Sequence, residues 1–266
     1  MATAEKTQYN EFATQYANAA DVPFAKLEAD LVDQAMGRLT GLTILDLGGG
    51  NGVHARRAID AGGALVDVVD ISPGMLRAGE EIEKKLGRQG RIRWFEGDAA
   101  RPLAEQITAS GNDGLRAEGY DLVMANWLFD HATNLADLEG MWANVVSYLK
   151  PGGRFLGIRM LDPHTASTGP SSAKYGFTFS NVEAIPGGWK YTVECWTQPP
   201  FSFEATSMQS TYTLADDIPR RLGLVDFVTV DPRETPAVKS DPQFWEDFVK
   251  EPSCSVVLAR KPLNQG

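Results

Sequence analysis

Apolar residues recur along this chain in two rhythms. Compact runs at 42–47 (LTILDL), 64–70 (ALVDVVD), 120–125 (YDLVMA) and 154–160 (RFLGIRM) carry little polar alternation. That is the signature of strands buried on both faces of a parallel sheet. RIRWF at 91–95 alternates instead and reads as a third strand in chain order. Between these runs the spacing turns helical. Leu27, Leu31, Ala35 and Leu39 share one face of 24–39, Val53, Ala55, Ala58 and Ile59 form a stripe, and 135–149 is apolar at helical intervals until Lys150-Pro-Gly-Gly stops it. Strands alternating with helices predict an α/β, doubly wound sheet.

From 162 to 211 the pattern changes. YGFTF, WKYTVECW and FSFEATSMQS are aromatic and β-branched runs bounded by Gly, Pro and Ser, which predict an antiparallel β insertion after the fifth strand. Its aromatics, Tyr175, Phe177, Trp189, Tyr191 and Trp196, suit either the lining of a pocket or a small core, and most are expected in a core. The remainder returns to the sheet, with helices over 213–222 and 241–250 and strands over 225–230 and 253–260. Residues 1–266 read as a single domain. Its first 40 residues are helical, with Tyr9, Phe12 and Tyr16 at helix-compatible intervals.

Composition narrows the partners. A chain of 266 residues with 43% hydrophobic content can bury a large core without disulfides or structural metal, and no metal-ligand spacing is present. The net charge of -10 argues against nucleic acid and anionic membranes, which require basic surfaces. Cys195 and Cys254 stand far apart outside any C-x-x-C context. With no leader-like start and no run long enough to span a bilayer, they are expected as free thiols in a cytoplasmic protein.

The chemistry gathers at 46–55, DLGGGNGVHA. Gly50, Gly52 and Ala55 fit the dinucleotide pattern G-x-G-x-x-A, with Asp70 twenty residues beyond Gly50, so an NAD-dependent oxidoreductase is one reading. No Tyr-x-x-x-Lys pair accompanies it. Asp46, Gly48, Gly50 and Gly52 also form D-x-G-x-G-x-G, which resembles the first motif of class I S-adenosylmethionine-dependent methyltransferases of the small-molecule type. VDISPGM at 69–75, F-x-G-D-A at 95–99, Asn126 after the fourth strand, and LKPGGRF resemble that family's later motifs in the same order.

The resemblance implies strand order 3-2-1-4-5-7-6 with the last strand antiparallel, S-adenosylmethionine as cofactor with S-adenosylhomocysteine as product, and methyl transfer to an N, O or S nucleophile of a small metabolite. It also implies that Asp46, Gly48 and Gly50 face the amino-acid end, that Asp70 holds the ribose hydroxyls, and that Ile71, Met75, Asp98 and Ala99 surround the adenine. Asn126 and Trp127 would border the transferable methyl. Tyr9 and Tyr16, in a Y-x-x-x-A-x-x-Y segment, would close over the cofactor. His131 is the candidate base, with Asp130 a second. His164 and Arg159 are open between substrate contact and structure, and His54 is expected in solvent. A protein that keeps the cofactor without transferring methyl is a further alternative.

Overall fold

The computed structural model describes residues 22–107, 114–164, 168–211 and 215–263. A seven-stranded sheet runs β3-β2-β1-β4-β5-β10-β9, built from β1 (Thr43–Leu47), β2 (Leu65–Asp70), β3 (Ile92–Glu96), β4 (Tyr120–Met124), β5 (Leu149–Met160), β9 (Val225–Thr229) and β10 (Cys254–Arg260). β10 is antiparallel to both β5 and β9, and the other pairings are parallel. With β9 and β10 as sixth and seventh strands of this sheet, the order is the one expected.

The central strand β1 shows why the sequence folds this way. Ile44, Leu45 and Leu47 are fully buried, Ile44 in the apolar layer with helix α1 (Pro23–Met36) and α2 (Val53–Asp60), Leu45 and Leu47 in the opposite layer. Each such side chain contributes about 1.5–3 kcal/mol by leaving water. The opposite layer centres on Trp142 of α5 (Leu135–Tyr148), which stacks on Phe129 with ring centroids 4.2 Å apart. One charge breaks the β2 run: Asp67 is fully buried, and Arg93 and Tyr120 satisfy it from the strands and loops beside it.

Between β2 and β3 lies α3 (Pro73–Lys85), capped by Ser72 Oγ, which accepts from Met75 N–H at 3.1 Å. After β3 comes the short α4 (Leu103–Gln106). The insertion forms its own antiparallel sheet, β6 (Phe177–Ile185), β7 (Gly188–Cys195) and β8 (Phe201–Met208). It is pinned to the main domain where Thr206 Oγ1 lies 3.2 Å from Asp130 O and 2.9 Å from Ala132 O.

Several boundaries differ from expectation. β5 begins at Leu149 and includes the Pro151-Gly152-Gly153 turn, because Leu149 pairs with Tyr120 before a register shift. Of the expected helix over 241–250 only α8 (Glu246–Lys250) forms, and a separate short helix, α7 (Pro236–Ser240), capped by Thr235, precedes it. α6 spans only Asp217–Arg221. The N-terminal segment with Tyr9 and Tyr16 lies outside the described residues.

Candidate active site

The sheet brings three strand ends to one edge. Asp46 is in β1, Asp70 ends β2, Asp98 follows β3, and all three line a single cavity of about 400 Å³. Gly48, Gly50, Ile71, Met75, Ala99, Asn126 and Trp127 line it too. The glycine turn is what lets β1 end there. Gly50 has φ +54, which other residues adopt at a cost, and a Cβ on Gly49 would lie 2.7 Å from Asp46 Oδ2.

Asp46 is the key electrostatic feature. Its carboxyl is fully buried, and neither oxygen has a hydrogen-bond partner of ordinary geometry. Burial pushes its pKa up to about 7, opposed by the nearby His54 and reinforced by Asp70. Such a group is costly to keep unless something cationic meets it. An ammonium fits that demand and a pyrophosphate does not, so the dinucleotide reading is disfavoured at this atom.

Asp70 is differently placed. Its Oδ2 accepts from Gly50 N–H and its Oδ1 from Ser72 N–H, both at 2.8 Å. Burial still raises its pKa to about 6 against those two donors. Each oxygen retains a lone pair for a hydroxyl. Asp98 caps its own turn, with Oδ1 accepting from Ala100 N–H at 2.8 Å. Asn126 spends Oδ1 on Ile158 N–H at 3.2 Å, while its buried Nδ2 is unpaired on the cavity wall. An orphaned carboxyl, an orphaned amide and a glycine cradle fit a ligand that offers an ammonium, hydroxyls and polar edges.

A second, smaller cavity of about 140 Å³ lies beneath the insertion. Phe24, Phe177, Phe179, Tyr191 and Phe203 give it an aromatic lining. Phe177 and Tyr191 are buried as expected of a core and also line this space. Tyr175 is true core, stacked on Trp245 at 4.8 Å, whereas Trp196 is half exposed at 52%. The two cavities share Ala25, Glu28, Trp127 and His131.

That shared wall holds the residues that sequence reasoning placed least well. Glu28 was not foreseen at all, because a lone acid on an amphipathic helix looks like any solvated face. His54, expected in solvent, lines the larger cavity and sits 3.1 Å from Glu28 Oε1 with its side chain only 13% exposed. Burial disfavours its charge, yet the hydrogen bond and charge of Glu28, with Asp46 beyond, raise its pKa overall. Trp127 takes φ +61, a strained conformation for a bulky residue.

His131 ends the 3₁₀ turn Phe129–His131, and burial lowers its pKa to about 4, so its imidazole is neutral at physiological pH. Arg159 is structural: fully buried, it donates to Asp216 at 2.6 Å, Thr211 O at 2.9 Å and Ala215 O at 3.0 Å. His164 lies outside both cavities, against Asp162 and Trp189.

This strand order, with a glycine turn over an acid-lined cavity, defines the class I S-adenosylmethionine-dependent methyltransferase fold, and residues 44–153 match the family model for a methyltransferase domain. The chain thus has the methyltransferase fold, and within it the segment 44–153 is similar to methyltransferase domains. It is similar to the ubiquinone/menaquinone biosynthesis C-methyltransferase UbiE of Acidiphilium cryptum (strain JF-5). The two are 31% identical over 138 residues, 51% of this chain and 49% of the relative. The chain thus spans about half the length of the curated relatives it matches.

Among solved structures, an S-adenosylmethionine dependent methyltransferase from Mesorhizobium loti superposes with TM-score 0.55 at 18% identity, over 86% of this chain and 98% of that one. Phosphoethanolamine N-methyltransferase 2 of Haemonchus contortus, in complex with S-adenosyl-L-methionine, gives TM-score 0.51 at 15% identity over 88% of this chain and 52% of that one. At such identities the likeness is one of fold.

Proposed function

We propose that this protein moves a methyl group from S-adenosylmethionine to a nucleophilic atom of a small molecule held under the β6–β8 insertion, the whole chain acting as one catalytic unit. The observation that carries this reading is the wall common to the two cavities, since an in-line displacement needs donor and acceptor to meet through a single opening.

In this reading Asp46 faces the cofactor's ammonium, and the N-terminus of α2 after Gly52 faces its carboxylate. Gly48 and Gly50 let the backbone come close. Asp70 receives the ribose hydroxyls, while Ile71 and Met75 flank the adenine, and Asp98 and Ala99 address its polar edge. Asn126 and Trp127 border the transferable methyl. When bound, the sulfonium supplies an activated methyl group. What the chain supplies is alignment and exclusion of water, an effect of about 7–11 kcal/mol in well-oriented systems.

His131 accepts the nucleophile's hydrogen bond. A base with pKa about 4 is too weak to ionise an alcohol beforehand. It suffices once the oxygen begins to bond the methyl and its proton becomes strongly acidic. The two free cysteines, Cys195 and Cys254, support a reducing, cytoplasmic setting. Methylation at carbon is the second reading, favoured by the name of the curated relatives.

Incubation with methyl-labelled S-adenosylmethionine and a library of small metabolites tests the proposal. A labelled small product is expected. Tight S-adenosylhomocysteine binding with no labelled product across the library would leave a protein that keeps the cofactor without transferring methyl.

A further inference from the structure

The cavity under the insertion has a chemical character that narrows its occupant. Its volume, about 140 Å³, is close to that of engineered apolar cavities that bind benzene, so one ring fills it. Its lining is aromatic, yet two polar groups sit buried in that lining without a hydrogen bond of ordinary geometry. Asp130 is 3% exposed, its carboxyl met by nothing closer to a partner than the poorly aligned N–H groups of Met160 and of Asp130 itself, and Ser253 is 1% exposed with an unpaired hydroxyl. Native interiors rarely leave such groups unmet, because each costs about 1–3 kcal/mol.

Two other polar neighbours are already committed. Glu28 receives Trp127 and His54, and Thr197 Oγ1 donates to Pro199 O at 2.7 Å. The Cys195 thiol is pushed up to about 12 by burial and stays neutral.

Resting on the methyltransferase reading above, we infer that this cavity takes a neutral single-ring aromatic carrying a hydroxyl group, which it anchors between Asp130 and Ser253. A hydroxyl both donates and accepts, so it meets one neighbour in each sense. Burial lifts the Asp130 pKa to about 8 despite the nearby Arg159 and the Met160 N–H, so at neutral pH the carboxyl is itself a donor. Arg159 behind it also opposes a cationic occupant. His131, the next residue in the chain, lines both this cavity and the larger one.

The test uses the full chain loaded with S-adenosylhomocysteine, with 4-methylphenol, toluene and benzylamine titrated by ligand-observed NMR. The phenol is expected to bind about tenfold more tightly than toluene, the worth of one to two buried hydrogen bonds, and benzylamine more weakly than the phenol. Ser253→Ala, which removes an unpaired hydroxyl and should fold normally, is expected to cut the preference severalfold. Asp130→Leu should abolish it, while Asp130→Asn, which still donates and accepts, should keep it.

Toluene binding as well as the phenol, a preference for benzylamine, or an unchanged preference in Ser253→Ala would overturn the anchor. Cofactor binding is followed separately by the thermal shift with S-adenosylhomocysteine, and the ring titrations are repeated without it. A missing shift counts against the methyltransferase reading, whereas a normal shift with no phenol preference counts against the anchor alone.

Discussion

Trp127 Nε1 donates to Glu28 Oε2 at 3.0 Å, tying the strained residue after β4 to a helix ninety-nine positions earlier in the chain. The other oxygen of that carboxylate holds His54 at 3.1 Å. Glu28 therefore links α1, the helix after the glycine turn, and the wall between the two cavities. Glu28→Ala should destabilise the protein by about 1–3 kcal/mol, since it leaves His54 and the indole N–H without their acceptor. Thermal unfolding should show a drop of several degrees. Glu28→Gln, which can still accept from Trp127, should recover part of it.

Asp46 is expected to trade stability for binding. Its folded pKa of about 7 exceeds the unfolded value, so the stability linked to its protonation is present at low pH and lost as pH rises through 7. Asp46→Asn removes that loss. The variant should unfold at a higher temperature than the parent at pH 8, with little difference at pH 4. Its affinity for S-adenosylhomocysteine should fall by at least about tenfold, measured by calorimetry.

The pH dependence of cofactor affinity follows from the same two acids. Asp46 and Asp70, raised to about 7 and about 6, must be ionised to receive an ammonium and hydroxyls. Affinity should be flat above pH 8 and weaken toward pH 5.5. Titrations that show equal affinity at pH 8 and pH 5.5 would exclude this role for both.

His131 should behave differently, because its imidazole is neutral down to about pH 4. With cofactor saturating, turnover should stay level between pH 6 and 8. For a hydroxyl nucleophile, His131→Ala should lower kcat about 10²-fold. The cofactor KM should change by less than about threefold.

Gly49→Ala probes the close approach beneath the cofactor cavity. The added Cβ would lie 2.7 Å from Asp46 Oδ2 and 3.0 Å from Val68 Cγ1, in a packed strand end with little room to relax. A stability loss of about 1–3 kcal/mol is expected, with weaker S-adenosylhomocysteine binding.

Much of the fold was readable because strand burial and helix periodicity are local signals. Ile44, Leu45 and Leu47 announce a strand buried on both faces, and the order of Asp46, Asp70 and Asp98 along the chain carries over to one cavity. What was not readable depends on contacts between distant segments. Glu28, His54 and Trp127 meet only after three elements pack, so His54 looked solvated. Phe177 and Tyr191 are buried and also line a cavity, because the insertion closes over the main domain and is pinned to it at Thr206. Helix spacing over 241–250 ignored the local turns that leave only Glu246–Lys250 helical at its end.

The Thr206 anchor has an evolutionary corollary. Since Thr206 of the β6–β8 module grips the Phe129–His131 turn and Ala132 through backbone carbonyls alone, the anchor asks nothing of the side chains at 130 and 132. If the proposed function holds, exchanging that module between homologues with Thr206 kept is a route to new acceptor specificities on an unaltered donor-binding chassis.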